Sequence, residues 1–199
     1  MSVSVSSADS SSTSLVAGLR DGSDEAWRRL VDIYAPLVRI WCRYSGVGED
    51  RIADILQEVF LAVHRRIDKF SVQDDSTGFR GWMWMITKNK IRDHFRNQPQ
   101  PANPVGGSTA WQQMHEVAAP PLPAEAPSQP SDTAALLHRA LAYVKVEFRD
   151  QTWNAFWRTT VLCEATDTVA EEFGISSAAV RQARSRVLRR LRQQLGDVA

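Results

Sequence analysis

Between Thr166 and Leu191 the chain sets small, apolar and basic residues at fixed intervals. Val169, Ala170, Phe173, Gly174 and Ile175 come first. Val180, Ala183, Val187 and Leu191 then recur at spacings of 3, 4 and 4. That spacing is one face of a helix. Arg181, Gln182, Ser185 and Arg189 fall on the other face, with Arg186 beside them. Planar guanidinium and amide groups can form paired hydrogen bonds to purine edges, and further arginines neutralise phosphate.

A second constellation runs from Phe79 to Arg96, with aromatics in its first half and bases in its second. Phe79, Trp82, Met83 and Ile86 fit one inward stripe, and Trp84 and Lys88 lie off it. Aromatic faces beside Lys and Arg suit unstacked bases of a single strand. Trp84 either meets a base or packs in a small core, while Lys88, Arg92 and Arg96 supply positive charge. A third group, Asp54, Gln57, Glu58 and Leu61, forms the outer face of another helical stretch. It reads either as a protein-binding patch or as ordinary solvated surface.

Catalytic chemistry is not expected. His64, His94, His115 and His138 are scattered, with no pair spaced to hold a metal on one helix face. Cys42 and Cys163 form no Cys-x-x-Cys pair, so neither a zinc site nor a disulfide scaffold can be argued. No nucleophilic triad, phosphate loop or paired carboxylates can be read. The expectation is no cofactor, no metal and no small-molecule substrate.

Charge distribution says more than its sum. The 199 residues carry a net charge of only +1, which taken alone points away from nucleic acid. Residues 80–98 hold +4, residues 175–199 hold +5, and the remainder holds −8. The positive charge thus sits on the two constellations with base-pairing or base-stacking groups.

The elements that must position these groups read as helices. Ile52, Ile55, Leu56, Val59, Phe60, Val63 and Ile67 form the apolar stripe of a helix over 50–67. Shorter helices are expected over 24–34, capped by Ser23, and over 36–44, with Pro36 in the first turn. Others are expected over 78–96, 132–148, 150–163, 167–173 and 177–195. Ala170 is the small contact of a helix-turn-helix, Gly174 its turn and Ser176 the cap of its second helix. Glu171 and Glu172, near the end of the preceding helix, are expected to face solvent or pair with arginines.

Eight of the first 14 residues are serine, so 1–13 is expected to be a disordered tail. It lacks the basic start and apolar core of a signal peptide, which points to a cytoplasmic protein. No apolar run is longer than the five residues of Trp82–Ile86, far short of the ~18 residues of a membrane span, so no membrane insertion is expected. Eight of the nine prolines lie between Pro99 and Pro130, and no Lys or Arg occurs over 97–138. Residues 99–131 therefore read as an extended linker between two domains, 14–98 and 132–199. The fold class expected is all-α: two small helical domains joined by a Pro-rich linker.

With these pieces in order, the chain resembles a bacterial RNA polymerase sigma factor of the extracytoplasmic-function type. The resemblance rests on Asp54-Ile-Leu-Gln-Glu-Val-Phe-Leu61, on Phe79-Arg-Gly-Trp82 with Lys88-Asn89 and Asp93-His94-Phe95-Arg96, and on Val169–Ser176 with Ser185–Leu191. It implies that Asp54, Gln57, Glu58 and Leu61 bind core RNA polymerase. It implies that the 71–78 loop and the helix bearing Trp84, Lys88, Asn89, Arg92 and Arg96 recognise and open the promoter's −10 element, with Asn89 meeting the opened strand. Arg181, Gln182, Ser185, Arg186 and Arg189 would read the −35 element. The linker would thread the polymerase, and an anti-sigma factor is a further partner the family often has. The competing expectation is a stand-alone helix-turn-helix regulator that binds duplex DNA as a dimer.

Overall fold

A computed structural model describes residues 14–71, 78–97, 122–127 and 129–196. The serine-rich tail, most of the loop at 71–78 and the linker up to residue 121, Trp111 included, lie outside the described residues. Most of the described residues are helical, and no strand occurs among them. None of their helices is long and apolar enough to cross a membrane.

The first helix, α1 (Leu15–Arg20), was not expected from the sequence. Ser14 caps it by accepting from the Ala17 amide at 3.2 Å, and Leu15, Val16 and Leu19 are buried. Next, α2 (Asp24–Tyr44) is capped by Ser23 as expected, but it runs unbroken through Pro36. The two expected helices, 24–34 and 36–44, are one. Proline in a helix interior removes one hydrogen bond and costs about 3 kcal/mol. Leu30, Ile33, Leu37, Val38 and Trp41 form a single buried stripe on both sides of Pro36. Their shared burial outweighs that cost, since each such side chain contributes about 1.5–3 kcal/mol.

The third helix, α3 (Glu49–Arg66), buries Ile52, Ile55, Val59 and Val63 and passes into a short 3-10 turn, Ile67–Lys69. It packs against α4 (Gly78–Arg96). Then α5 (Pro130–Lys145) begins two residues before the expected boundary, because Gln129 and Asp132 cap its first turn reciprocally. It is followed by α6 (Asp150–Thr160), α7 (Thr166–Phe173) and α8 (Ser177–Gln194).

One apolar core joins the two halves. Leu136, Ala140 and Val144 of α5, together with Trp153, Phe156, Val187 and Leu191, share a cluster with the buried residues of α1 to α4. Polar contacts reinforce the junction. The Tyr34 hydroxyl donates to the Leu195 carbonyl at 2.7 Å, and the Tyr143 hydroxyl donates to Asp32 at 2.8 Å. A smaller cluster of Ala155, Val169, Ala170, Val180 and Ala183 holds α7 and α8 together.

Candidate nucleic-acid and partner faces

The helix-turn-helix forms as its sequence requires. Gly174 has φ +61° and ψ +34°, the left-handed conformation that turns the chain out of α7. The Ser176 hydroxyl oxygen accepts from the Ala179 amide at 3.1 Å and caps α8. Val180, Ala183, Val187 and Leu191 are buried, as their spacing predicts. Arg181, Gln182, Ser185, Arg186 and Arg189 are all exposed. Arg184 and Arg192 are exposed as well, so the basic surface is wider than the five residues read from sequence.

Nearby acids are drawn away from this surface. Arg158 donates from Nε to Glu164 at 2.8 Å, pairs with Glu172, and lies over the Phe173 ring at 5.5 Å. The guanidinium holds the Glu172 carboxyl below the usual carboxylate range. Glu171 faces solvent. Arg186 and Arg189 also line a cleft of about 1010 Å³ whose far wall carries Ser14, Asp21, Glu25 and Arg29 of the first half.

On α4 the placement departs from expectation. Trp84 is only 1% exposed, packed edge-on against Trp41 of α2 with ring centroids 5.4 Å apart. Its ring cannot stack on a base from there, so Trp84 leaves the set of DNA contacts. The reason is that α4 is buried along two stripes. Phe79, Met83 and Ile86 form the expected one, and Trp84, Thr87 and Ile91 form the other. Trp82 is half-buried between Phe70 and Phe79, at 5.0 and 5.5 Å.

What remains outside is a narrow ledge. Asn89, Arg92 and Arg96 are exposed, and Arg96 is held by Asp93 at 2.7 Å. Met85 is 55% exposed on the same ledge, one turn before Lys88 and Asn89. Met85 was not among the expected DNA contacts, although its spacing of 4, 3 and 4 to Asn89, Arg92 and Arg96 places it on their face. The Lys88 ammonium donates to the Pro123 carbonyl at 2.9 Å. Desolvation, with Arg92 nearby, lowers its pKa from the ordinary lysine value.

Asp54, Gln57, Glu58 and Leu61 line the outer side of α3, with Leu61 46% exposed. Glu58 pairs with Lys90 of α4 at 3.2 Å, and Asp54 lies 3.9 Å from Arg51. Exposed pairs of this kind contribute at most about 1 kcal/mol, so the face stays open to competition by a partner.

Among the described residues no three His, Cys, Asp or Glu side chains converge as a metal site. Cys42 is buried, and burial pushes its thiol up to about 12, which keeps it inert as a nucleophile.

Known proteins resemble the first half of the chain. Residues 30–99 match the sigma-70 region 2 family. The matched stretch takes in most of α2 and all of α3 and α4, about a third of the chain. The chain is similar to RNA polymerase sigma factor CnrH of Cupriavidus metallidurans, at 30% identity over 82 residues, or 41% of each chain. It is similar to RNA polymerase sigma factor NccH of Alcaligenes xylosoxydans xylosoxydans, at 33% identity over 72 residues, or 36% of this chain and 37% of that one. The matched stretch thus spans about two fifths of the length of these curated relatives. Among solved structures, CnrH in complex with the cytosolic domain of CnrY overlaps 93% of this chain and 97% of its own, at 20% identity and a TM-score of 0.37. The RsbN–BldN complex overlaps 88% of this chain and 96% of its own, at 21% identity and a TM-score of 0.37.

Proposed function

We propose that this chain is an RNA polymerase sigma factor of the extracytoplasmic-function type, which gives the core enzyme its promoter specificity. The observation that carries the reading is the sigma-70 region 2 match over residues 30–99, laid on a body with one acidic and one basic outer face. Asp54, Gln57, Glu58 and Leu61 bind core polymerase, a role suited to an exposed leucine ringed by acids. Lys88, Asn89, Arg92 and Arg96, with the 71–78 loop, hold the opened strand of the −10 element.

Residues 132–199 act as the second DNA-contacting unit. Arg181, Gln182, Ser185, Arg186 and Arg189 read the −35 element as an exposed helix face in the major groove. The protein carries out no reaction of its own and needs no cofactor. Strand capture offsets the few kcal/mol that unstacking a base costs. It works in the cytoplasm, where the polymerase is, and an anti-sigma factor that masks its DNA-binding faces is a second protein partner implied by the resemblance.

The test is assembly with core polymerase on the DNA upstream of the chain's own gene. A stable complex and a promoter-dependent transcript are expected, and Leu61→Asp should lose both without unfolding. No complex and no transcript from the parent chain overturns the reading.

A further inference from the structure

We propose that residues 122–127 form a strap that competes with an opened DNA strand for the ledge of α4. The proposal rests on the strand-binding reading of that helix. Three side chains from two helices converge on this short segment. Trp41 donates from its indole N–H to the Pro127 carbonyl at 2.9 Å, and Arg80 reaches the same oxygen at 3.4 Å. Lys88 holds the Pro123 carbonyl at 2.9 Å. Next to these points Leu122 and Ala126 pack against the core as half-buried anchors. The Arg80 guanidinium is also poised 6.0 Å from the centre of the Trp41 ring.

The chemistry of the segment matches what it covers. Proline-rich backbone is extended, offers carbonyl oxygens and few N–H donors, and loses little entropy on docking. Its carbonyls therefore present a row of acceptors to basic side chains, as a phosphate backbone does, but without the charge. No Lys or Arg occurs over 97–138, so nothing in the segment repels Lys88 or Arg80. A phosphate would displace such a carbonyl from Lys88 or Arg80, because it adds the attraction of an opposite charge that a neutral carbonyl lacks. The strap is held by three hydrogen bonds and two small apolar contacts, which places it among the segments that open locally at low cost. It occupies Lys88 at the edge of the ledge in the isolated protein, leaves Asn89, Arg92 and Arg96 exposed, and yields to the strand.

Leu122→Ser combined with Ala126→Ser releases the anchors and adds no charge. Binding of a fluorescent single-stranded oligonucleotide to the full chain, at low salt, is the readout. If the strap is engaged in about nine molecules of ten, the released chain binds about tenfold more tightly. The indole N–H of Trp41, followed by nitrogen-15 NMR, is expected to be protected from exchange in the parent chain. It should lose that protection when the oligonucleotide is added. Equal affinities, with the Trp41 proton exchanging freely in the variant, overturn the strap alone. So does a Trp41 proton that stays protected in the parent chain at saturating oligonucleotide. Lys88→Ala is expected to weaken both chains, and no binding by either chain overturns the strand-binding reading together with the strap.

Discussion

Helices α4 and α8 carry the chain's two concentrations of positive charge, yet they are built in opposite ways. The second of them buries Val180, Ala183, Val187 and Leu191 and leaves most of the rest of its circumference outside. Apart from Arg190, which is buried against Glu147, its arginines project from a ridge, which is the shape that enters a major groove. By contrast, α4 is gripped on two sides, by the stripe of Phe79, Met83 and Ile86 and by the stripe of Trp84, Thr87 and Ile91. Only a ledge remains, and part of it lies under residues 122–127. Reading duplex DNA calls for a protruding helix. Holding an unstacked strand, the role proposed for α4, calls for a shelf that does not move, and the aromatic pair Trp41–Trp84 anchors that helix.

The comparison breaks most visibly at Trp84. Trp84→Ala should lower unfolding stability by about 3–5 kcal/mol, since it empties a buried aromatic site. Thermal or chemical unfolding monitored by circular dichroism measures this. A loss within about 0.5 kcal/mol would return Trp84 to the surface.

The reverse pattern is expected on the ridge. Arg181→Ala or Gln182→Ala should leave stability unchanged and cost about 1–3 kcal/mol of duplex affinity each, with altered base preference. Gel-shift titration against a promoter library checks it. An unchanged profile would remove these two side chains from base contact.

Why one helix could be read from sequence and the other only in part follows from where their neighbours lie. On α8 the buried stripe, the cap Ser176 and the basic face are encoded on one element and the turn before it, so local spacing sufficed. On α4 the second buried stripe depends on Trp41, in a helix far earlier in the chain, and periodicity cannot reveal a partner across such a gap. Pro36 misled for a related reason, because the tertiary burial that carries α2 through it is not a local property. The short helix α1 escaped notice beside the serine-rich start. Proline content said that residues 122–127 would be extended, but not that Trp41, Arg80 and Lys88 would hold them.

A smaller effect sharpens the junction between the two helices. Gly196, just past the end of α8, has φ +76°, and a Cβ there would stand 2.7 Å from Cγ of Phe79 at the start of α4. Gly196→Ala should cost about 1–3 kcal/mol through backbone strain and that clash. It should also loosen the Tyr34–Leu195 contact, visible as faster amide exchange near Phe79. No change would mean that the end of α8 does not rest on α4.

The smallest effect concerns the support of the ridge. Arg158 holds Glu172 below the ordinary carboxylate range, so this tie is present above the unfolded carboxylate value. It is lost as pH falls through the lower folded value, below about 4.3. Glu172→Gln should therefore flatten the acid side of the stability curve by lowering stability slightly at neutral pH while leaving it unchanged in acid. An unaltered acid limb would show that the tie contributes nothing.

The division of labour itself is tested most directly by footprinting promoter DNA with core polymerase and this chain, with permanganate reading unpaired bases and DNase I reading duplex protection. The parent chain should open bases around the −10 element and protect the −35 element. Replacing Lys88 and Asn89 by alanine should abolish opening and keep upstream protection, whereas Arg181→Ala should lose upstream protection first. Loss of both signals alike from either set of changes, or opening that ignores the ledge, would contradict the account.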